Sequence, residues 1–228
     1  MSYLEIRSAA TGQFALLAER VGQLTDADLA LPTRLPPWTV RELVAHVTRN
    51  IDALAGALAA PAPEAATVTL DDYYGLAAAA ADGIRERAAG EAATGIRWQD
   101  EIGAVAARVT AALPGADRLV TARMGDLTLE DFLVTRCVEG TVHGFDLARA
   151  LDAPPGDWLH PAATDVCLRL LARLGAAHGI TADVRTAPVV VGYAGRAVTT
   201  TVAGYAEWAT GRGPAPAPWL DGLPAVIR

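Results

Sequence analysis

Apolar residues return every three to four positions along most of the first 150 residues, and that spacing predicts helices. Leu4, Ala10, Phe14, Leu17 and Val21 predict a first helix over residues 3–24. A second begins inside "PPWTVRELVAHVTRN", with Thr39 as N-cap and Glu42 three residues on as a capping box. Trp38 and Leu43 flank that cap as the two halves of a hydrophobic staple. A third helix is expected over residues 70–90. From "EAATGIRWQDE" to Val120 the pattern is divided: "EIGAVAARVTAAL" is periodic, "PGAD" breaks it, and "RLVTARMGD" reads as a short extended stretch. A further long helix runs through "RCVEGTVHGFDLARAL", capped by Thr128 with Asp131 at N3 and stapled by Leu127 and Phe132. Four substantial helices in this span imply an antiparallel four-helix bundle over residues 1–153.

The pattern changes after "APPGDWLHP", which reads as a linker from Ala153 to Pro161. One helix over residues 162–177 precedes "APVVVGYAGRAVTTTVAG", two β-branched runs joined by a glycine-containing turn that predict a hairpin. "YAEWATGR" predicts a last short helix and "GPAPAPWLDG" a loop. Residues 161–228 are therefore expected to form a small α/β domain, so that the whole chain is mainly α. No internal repeat is apparent.

Composition narrows the chemistry. Of 228 residues 52% are hydrophobic, enough for one large or two small cores. The net charge is -7, which lacks the basic footprint that a nucleic acid partner requires. All 19 basic residues are arginine, which excludes Schiff-base chemistry and a P-loop lysine. The start "MSYLEIRSAATGQF" has no basic region followed by an apolar run, so no secretory signal is expected. No apolar stretch approaches the about 20 residues that span a bilayer. With only Cys137 and Cys167 there is no disulfide framework, and a reduced, cytoplasmic protein is expected.

The long helix through Arg136 carries the candidate chemistry. At about 100° per residue, Phe132, Arg136, Glu139, His143, Asp146 and Ala150 fall on one stripe. Glu139 and His143 are about 40° apart, close enough to converge on one ion, while Cys137 points to nearly the opposite side. Two readings stand. The stripe is either a solvated face whose i,i+3 and i,i+4 pairs contribute about 0.2–0.5 kcal/mol each, or a line of ligands. His46 lies on the shoulder of the stripe formed by Val40, Leu43, Val47 and Leu54, where a histidine is either a satisfied core residue or a ligand. With Glu139 and His143 it composes a His₂Glu set, the open three-ligand arrangement that suits catalytic zinc. His160 and His178, beside a loop and near a helix end, stay outside the set.

"WTVRELVAHV" (38–47) together with "TRCVEGTVHGFDLARAL" (135–151) resembles the mycothiol-dependent maleylpyruvate isomerase family. That family belongs to the DinB-like superfamily of metal-binding four-helix bundles. The resemblance rests on tryptophan, Thr-Val-Arg-Glu-Leu and a histidine, then Thr-Arg, a Glu and a His four apart, Gly, an aromatic and Asp-Leu. Phe145 stands where tryptophan is commoner. "TVAGYAEWATGR" (201–212) resembles a run in the family's C-terminal α/β domain.

The resemblance implies zinc, or another divalent metal, held by His46, Glu139 and His143, with mycothiol supplying a thiol. It also implies an active-site role for Arg212. A metal-activated thiolate would add to the cis double bond of maleylpyruvate, and rotation and elimination would give fumarylpyruvate. Arg212 and Arg136 are candidate cations for the substrate's anions, and Arg136 is alternatively a buried partner of Glu139 or Asp146. Asp146 either orients a ligand or is a surface carboxylate. Trp38 reads as a staple in preference to a substrate platform. Fold-level likeness does not fix a substrate, so two further expectations stay open: a mycothiol S-transferase of detoxification or natural-product biosynthesis, and a metal-binding bundle without turnover.

Overall fold

The structure, a computed structural model, describes residues 1–79, 81–185, 188–212 and 214–220. It divides into two compact units, Met1–Thr164 and a second that begins at Asp165. The first contains α1 (Tyr3–Gly22), α2 (Asp26–Leu29), α3 (Val40–Ala59), α4 (Leu70–Ala79), α5 (Ala81–Ala92) and α6 (Trp98–Ala112). A hairpin of β1 (Leu119–Ala122) and β2 (Gly125–Thr128) then leads into α7 (Leu129–Ala150). The architecture is a four-helix bundle followed by a small α/β part.

The expected four-helix bundle is present, but the helix expected over residues 70–90 is not one of its members. Its members are α1, α6, α3 and α7, each of α6 and α7 packing against both α1 and α3. The helix expected over residues 70–90 is instead seen as α4 and α5, with residue 80 outside the described residues. They pack on the outside of α7 and α3 respectively. The reason is the size of the apolar face. In α6 the buried set is Trp98, Ile102, Val105, Ala106 and Val109, at helical spacing. Among the described side chains, α4 and α5 bury only Leu70, Tyr73, Ala88 and Ala92. A large aliphatic or aromatic side chain gains about 1.5–3 kcal/mol on full burial, and alanines cannot match that.

The predicted caps fix where α3 and α7 begin. The Thr39 N–H donates to Glu42 at 2.7 Å, and the Asp131 N–H donates to the Thr128 hydroxyl at 3.0 Å. The extended stretch before α7 is β1, paired antiparallel with β2 so that Val120 and Leu127 face each other in the core.

Most of α7 is buried, including its polar stripe: Arg136, His143 and Asp146 are all buried. The solvated-face reading is therefore wrong, and each buried polar group needs a partner. Two glycines let neighbours approach so closely. A Cβ on Gly140 would lie 2.7 Å from Gln13 Cγ, and one on Gly144 would lie 2.8 Å from the Trp158 carbonyl oxygen. Gln13 is fully buried; its Nε2 donates to the Trp158 carbonyl at 2.9 Å and its Oε1 accepts from the His160 N–H at 2.8 Å. The stretch from Ala153 to Pro161 is thus packed onto α1 and α7, with a short 3₁₀ turn at Pro155–Asp157.

The second part begins with α8 (Pro161–Ala176), which crosses the boundary between the units. It is followed by β3 (Ile180–Asp183), β4 (Val189–Tyr193), β5 (Arg196–Thr200) and α9 (Val202–Ala209). The expected hairpin is β4–β5; β3 adds a third antiparallel strand beside β4, with Ile180 opposite Tyr193. Ile180, Val189, Val191, Cys167, Leu171 and Tyr205 are buried here. Among the described residues no helix is long and apolar enough to cross a membrane.

Candidate metal centre

Helices α3 and α7 pack together in the bundle, and His46, Glu139 and His143 meet where they do. Their ligand atoms all lie within 4.8 Å of one another. His46 Nε2 is 3.5 Å and His143 Nε2 is 3.4 Å from the same Glu139 oxygen, Oε2. Two nitrogen or oxygen ligands at zinc bond lengths on tetrahedral axes stand roughly 3.3–3.4 Å apart, so both edges fit one ion. The two imidazoles meet edge to face, 4.9 Å between centroids at 88°. The Trp38 ring also packs on His46, 5.0 Å between centroids and tilted by 45°. Trp38 thus packs on a candidate ligand.

Exposure is graded across the three. His143 keeps 8% of its side-chain surface, His46 13% and Glu139 28%, so the cluster opens on the Glu139 side.

The electrostatics favour a positive charge at the centre. Burial works to raise the Glu139 pKa, but His143, His46 and Arg136 outweigh it and hold the carboxyl well below its ordinary range. Burial pushes His46 down, against the pull of Glu139. For His143 burial again works downward, yet Asp146 and Glu139 prevail and the pKa is raised. A carboxylate oxygen facing two imidazole nitrogens needs a proton or a cation between them, and a His₂Glu set can supply three ligands to a divalent ion.

Asp146 Oδ2 lies 3.0 Å from His143 Nδ1. Accepting from Nδ1–H fixes the ring's tautomer and leaves Nε2 to face the cluster. Arg136 pairs with neither carboxylate of its own helix. Its NH1 donates to the Asn50 carbonyl at 3.0 Å and to Asn50 Oδ1 at 2.9 Å, and its NH2 donates to the Tyr73 hydroxyl at 3.0 Å. Its Nε donates to the Thr135 hydroxyl at 3.1 Å, and the guanidinium lies 4.8 Å from the Phe132 centroid. These bonds offset the cost of burying a charge, several kcal/mol per ion.

Sequence reasoning missed Asn50 and Tyr73. Asn50 Nδ2 lies 2.8 Å from Glu139 Oε2 and 2.9 Å from His46 Nε2. The i,i+4 spacing of His46 and Asn50 was the available signal. Phe14, Leu17, Val47 and Ile51 line a narrow cleft behind Asn50, Arg136 and Glu139. Cys137 is buried and its thiol is pushed up to about 12, chiefly by burial, so it remains protonated.

Residues 11–148 match the family described as the mycothiol maleylpyruvate isomerase N-terminal domain. The chain belongs to that family. The match holds α3, all but the last two residues of α7 and the whole His46, Glu139 and His143 cluster, while Arg212 lies beyond it. The fold is similar to that in the crystal structure of the mycothiol-dependent maleylpyruvate isomerase, with a TM-score of 0.60 at 18% identity, over 93% of this chain and 90% of that one. No curated protein sequence is significantly similar to the chain.

Arg212 sits at the end of α9. Gly211, with φ of 70°, follows Thr210; its N–H donates to the Trp208 carbonyl at 2.9 Å and the Arg212 N–H to the Glu207 carbonyl at 2.7 Å. That is a Schellman cap, which explains the Gly in the Gly-Arg ending. Arg212 NH1 donates to the Thr210 carbonyl at 3.0 Å, the helix-end role open to such an arginine.

Proposed function

We propose that the chain is a metal-dependent, mycothiol-dependent isomerase acting on maleylpyruvate or a closely similar cis-unsaturated keto acid. The observation that supports this most is the convergence of His46, Glu139 and His143, both imidazole nitrogens 3.4–3.5 Å from one Glu139 oxygen and all ligand atoms within 4.8 Å, inside the span that matches the family. Zinc suits the donor set, two imidazoles and one carboxylate with room for another ligand. When bound, such an ion lowers the pKa of a thiol from about 8.5, so that thiolate is present at neutral pH.

The chain's own residues prepare for that thiol. His143, aligned by Asp146, and His46, backed by Trp38, hold their nitrogens toward Glu139. The opening on the Glu139 side is the way in. The nucleophile comes from outside, since Cys137 is buried and protonated. Addition of the thiol sulfur to one alkene carbon, with a proton or enolate charge taken up by the other half, turns the double bond into a single one. Rotation and loss of the thiol then give the trans isomer with no net redox change. Arg212 is proposed to hold a carboxylate of the substrate, a reading that rests on the likeness of "ATGR" to the family's ending.

The test is conversion of maleylpyruvate to fumarylpyruvate by purified, zinc-loaded protein. Turnover that requires mycothiol and is lost in Glu139→Gln is expected. Zinc-loaded protein that shows no mycothiol-dependent isomerisation would contradict the substrate assignment and leave the metal site standing.

A further inference from the structure

Asn50 follows His46 by one turn of α3, and the two ends of its amide face different neighbours. Oδ1 accepts from Arg136 at 2.9 Å, while Nδ2 is 2.8 Å from Glu139 Oε2 and 2.9 Å from His46 Nε2. A guanidinium carries only donors, so it takes the amide oxygen and decides which way the group points. Arg136 is in turn held by the Tyr73 and Thr135 hydroxyls and by the Asn50 carbonyl. The N–H end is therefore turned toward two of the three candidate ligand atoms and kept there.

That placement has a chemical consequence. An oxygen at the Nδ2 position, 2.8 Å and 2.9 Å from the two ligand atoms, would need to move out by only about 0.5 Å to reach the roughly 3.3–3.4 Å that separates two ligands on one zinc ion. An amide nitrogen has no lone pair to offer a cation, and its hydrogens are donors only. We infer, resting on the metal reading above, that Asn50 is a positioning residue which, turned by Arg136, holds the Glu139 carboxylate and denies the cation a fourth protein ligand. A bound ion would then keep a position for a thiol.

Two variants separate the parts of this role. Asn50→Asp keeps the shape and the oxygen that Arg136 holds, and exchanges Nδ2 for a carboxylate oxygen. Asn50→Leu keeps the volume and removes both polar groups; Asn50→Ala carries the same expectation should circular dichroism show the leucine variant unfolded. Chelator-stripped proteins are titrated with Zn²⁺ against a competing chelating dye. They are also loaded with Co²⁺ for absorption spectra before and after addition of 2-mercaptoethanol. Wild type is expected to develop a thiolate-to-cobalt charge-transfer band. Asn50→Asp is expected to bind Zn²⁺ at least about tenfold more tightly and to develop no such band. Asn50→Leu is expected to lose about tenfold in affinity, the scale of a lost outer hydrogen bond to a ligand, and to keep the band. An Asn50→Asp protein that matches wild type in both affinity and band overturns this inference alone. Wild-type protein that binds neither ion overturns the metal reading and this inference with it.

Discussion

His143 Nδ1 and Asp146 Oδ2 stand 3.0 Å apart, one turn of α7 from each other, in a part of the bundle where both side chains are buried. The bond holds the imidazole in one tautomer and one orientation, with Nε2 toward Glu139. Outer partners of metal-bound histidines are commonly worth tenfold to about a hundredfold in affinity. Asp146→Ala should therefore lower zinc affinity by that factor in a competition titration, and Asp146→Asn, whose amide oxygen can still accept, by less. Undiminished binding in Asp146→Ala would detach Asp146 from the site.

At the proposed site, proton and metal would compete for His143. Burial works to lower its pKa, but Asp146 and Glu139 raise it above the ordinary 6.5. In the metal-free protein a raised pKa contributes stability that is full below about 6.5 and is lost as pH rises through the folded value. Zinc needs the neutral ring, so its apparent affinity should fall as pH falls, with the loss beginning above 6.5. Metal-free and zinc-loaded melting temperatures should accordingly diverge as pH is raised from about 5.5 to about 8.5. A gap that stays constant over that range would contradict the coupling.

Neither cysteine should matter to turnover. Cys137 is buried with its thiol pushed up to about 12, and Cys167 is buried in the second unit. Cys137→Ser and Cys167→Ser should keep most of the activity, with any cost appearing in melting temperature, because a hydroxyl is harder to bury than a thiol. Loss of turnover in a variant that melts normally would argue for an internal nucleophile.

Arg212 has two jobs open to it, and kinetics separates them. As a substrate clamp, Arg212→Ala should keep zinc and melting temperature while losing roughly 1.5–3 kcal/mol of charge-assisted contact, tenfold or more in kcat/KM. Its bond to the Thr210 carbonyl points to a helix-end contribution of about 0.3–1 kcal/mol. A slightly less stable variant with normal kinetics would remove Arg212 from the site.

Much of this is legible in the sequence because it is written locally. Thr39 with Glu42 and Thr128 with Asp131 mark helix starts by chemistry confined to four residues, and both caps form. The common stripe of Arg136, Glu139, His143 and Asp146 follows from helical geometry alone. What periodicity could not reveal depends on distant parts of the chain. Whether that stripe faced water was decided by α3, whose His46 and Asn50 meet Glu139 and Arg136, and by Tyr73 of α4, while Gly140 leaves room for Gln13 of α1 and Gly144 for the Trp158 carbonyl. Arg136 looked like a partner for carboxylates on its own helix, and its actual partners are Asn50 and Tyr73, 86 and 63 residues away. The choice of α6 over α4 and α5 for the bundle turned on how much apolar surface each could bury, which a count of helices ignores. β3 escaped because four residues of mixed polarity after a helix carry too little alternation to register.

On the proposed function, His46, Glu139 and His143 hold one divalent ion between them. Zinc content is its most direct measure: wild type and His143→Ala, purified and dialysed side by side, analysed for metal by elemental analysis. About one equivalent is expected in wild type, with a large loss in His143→Ala at unchanged helical content. A His143→Ala protein that retains its metal undiminished would contradict it.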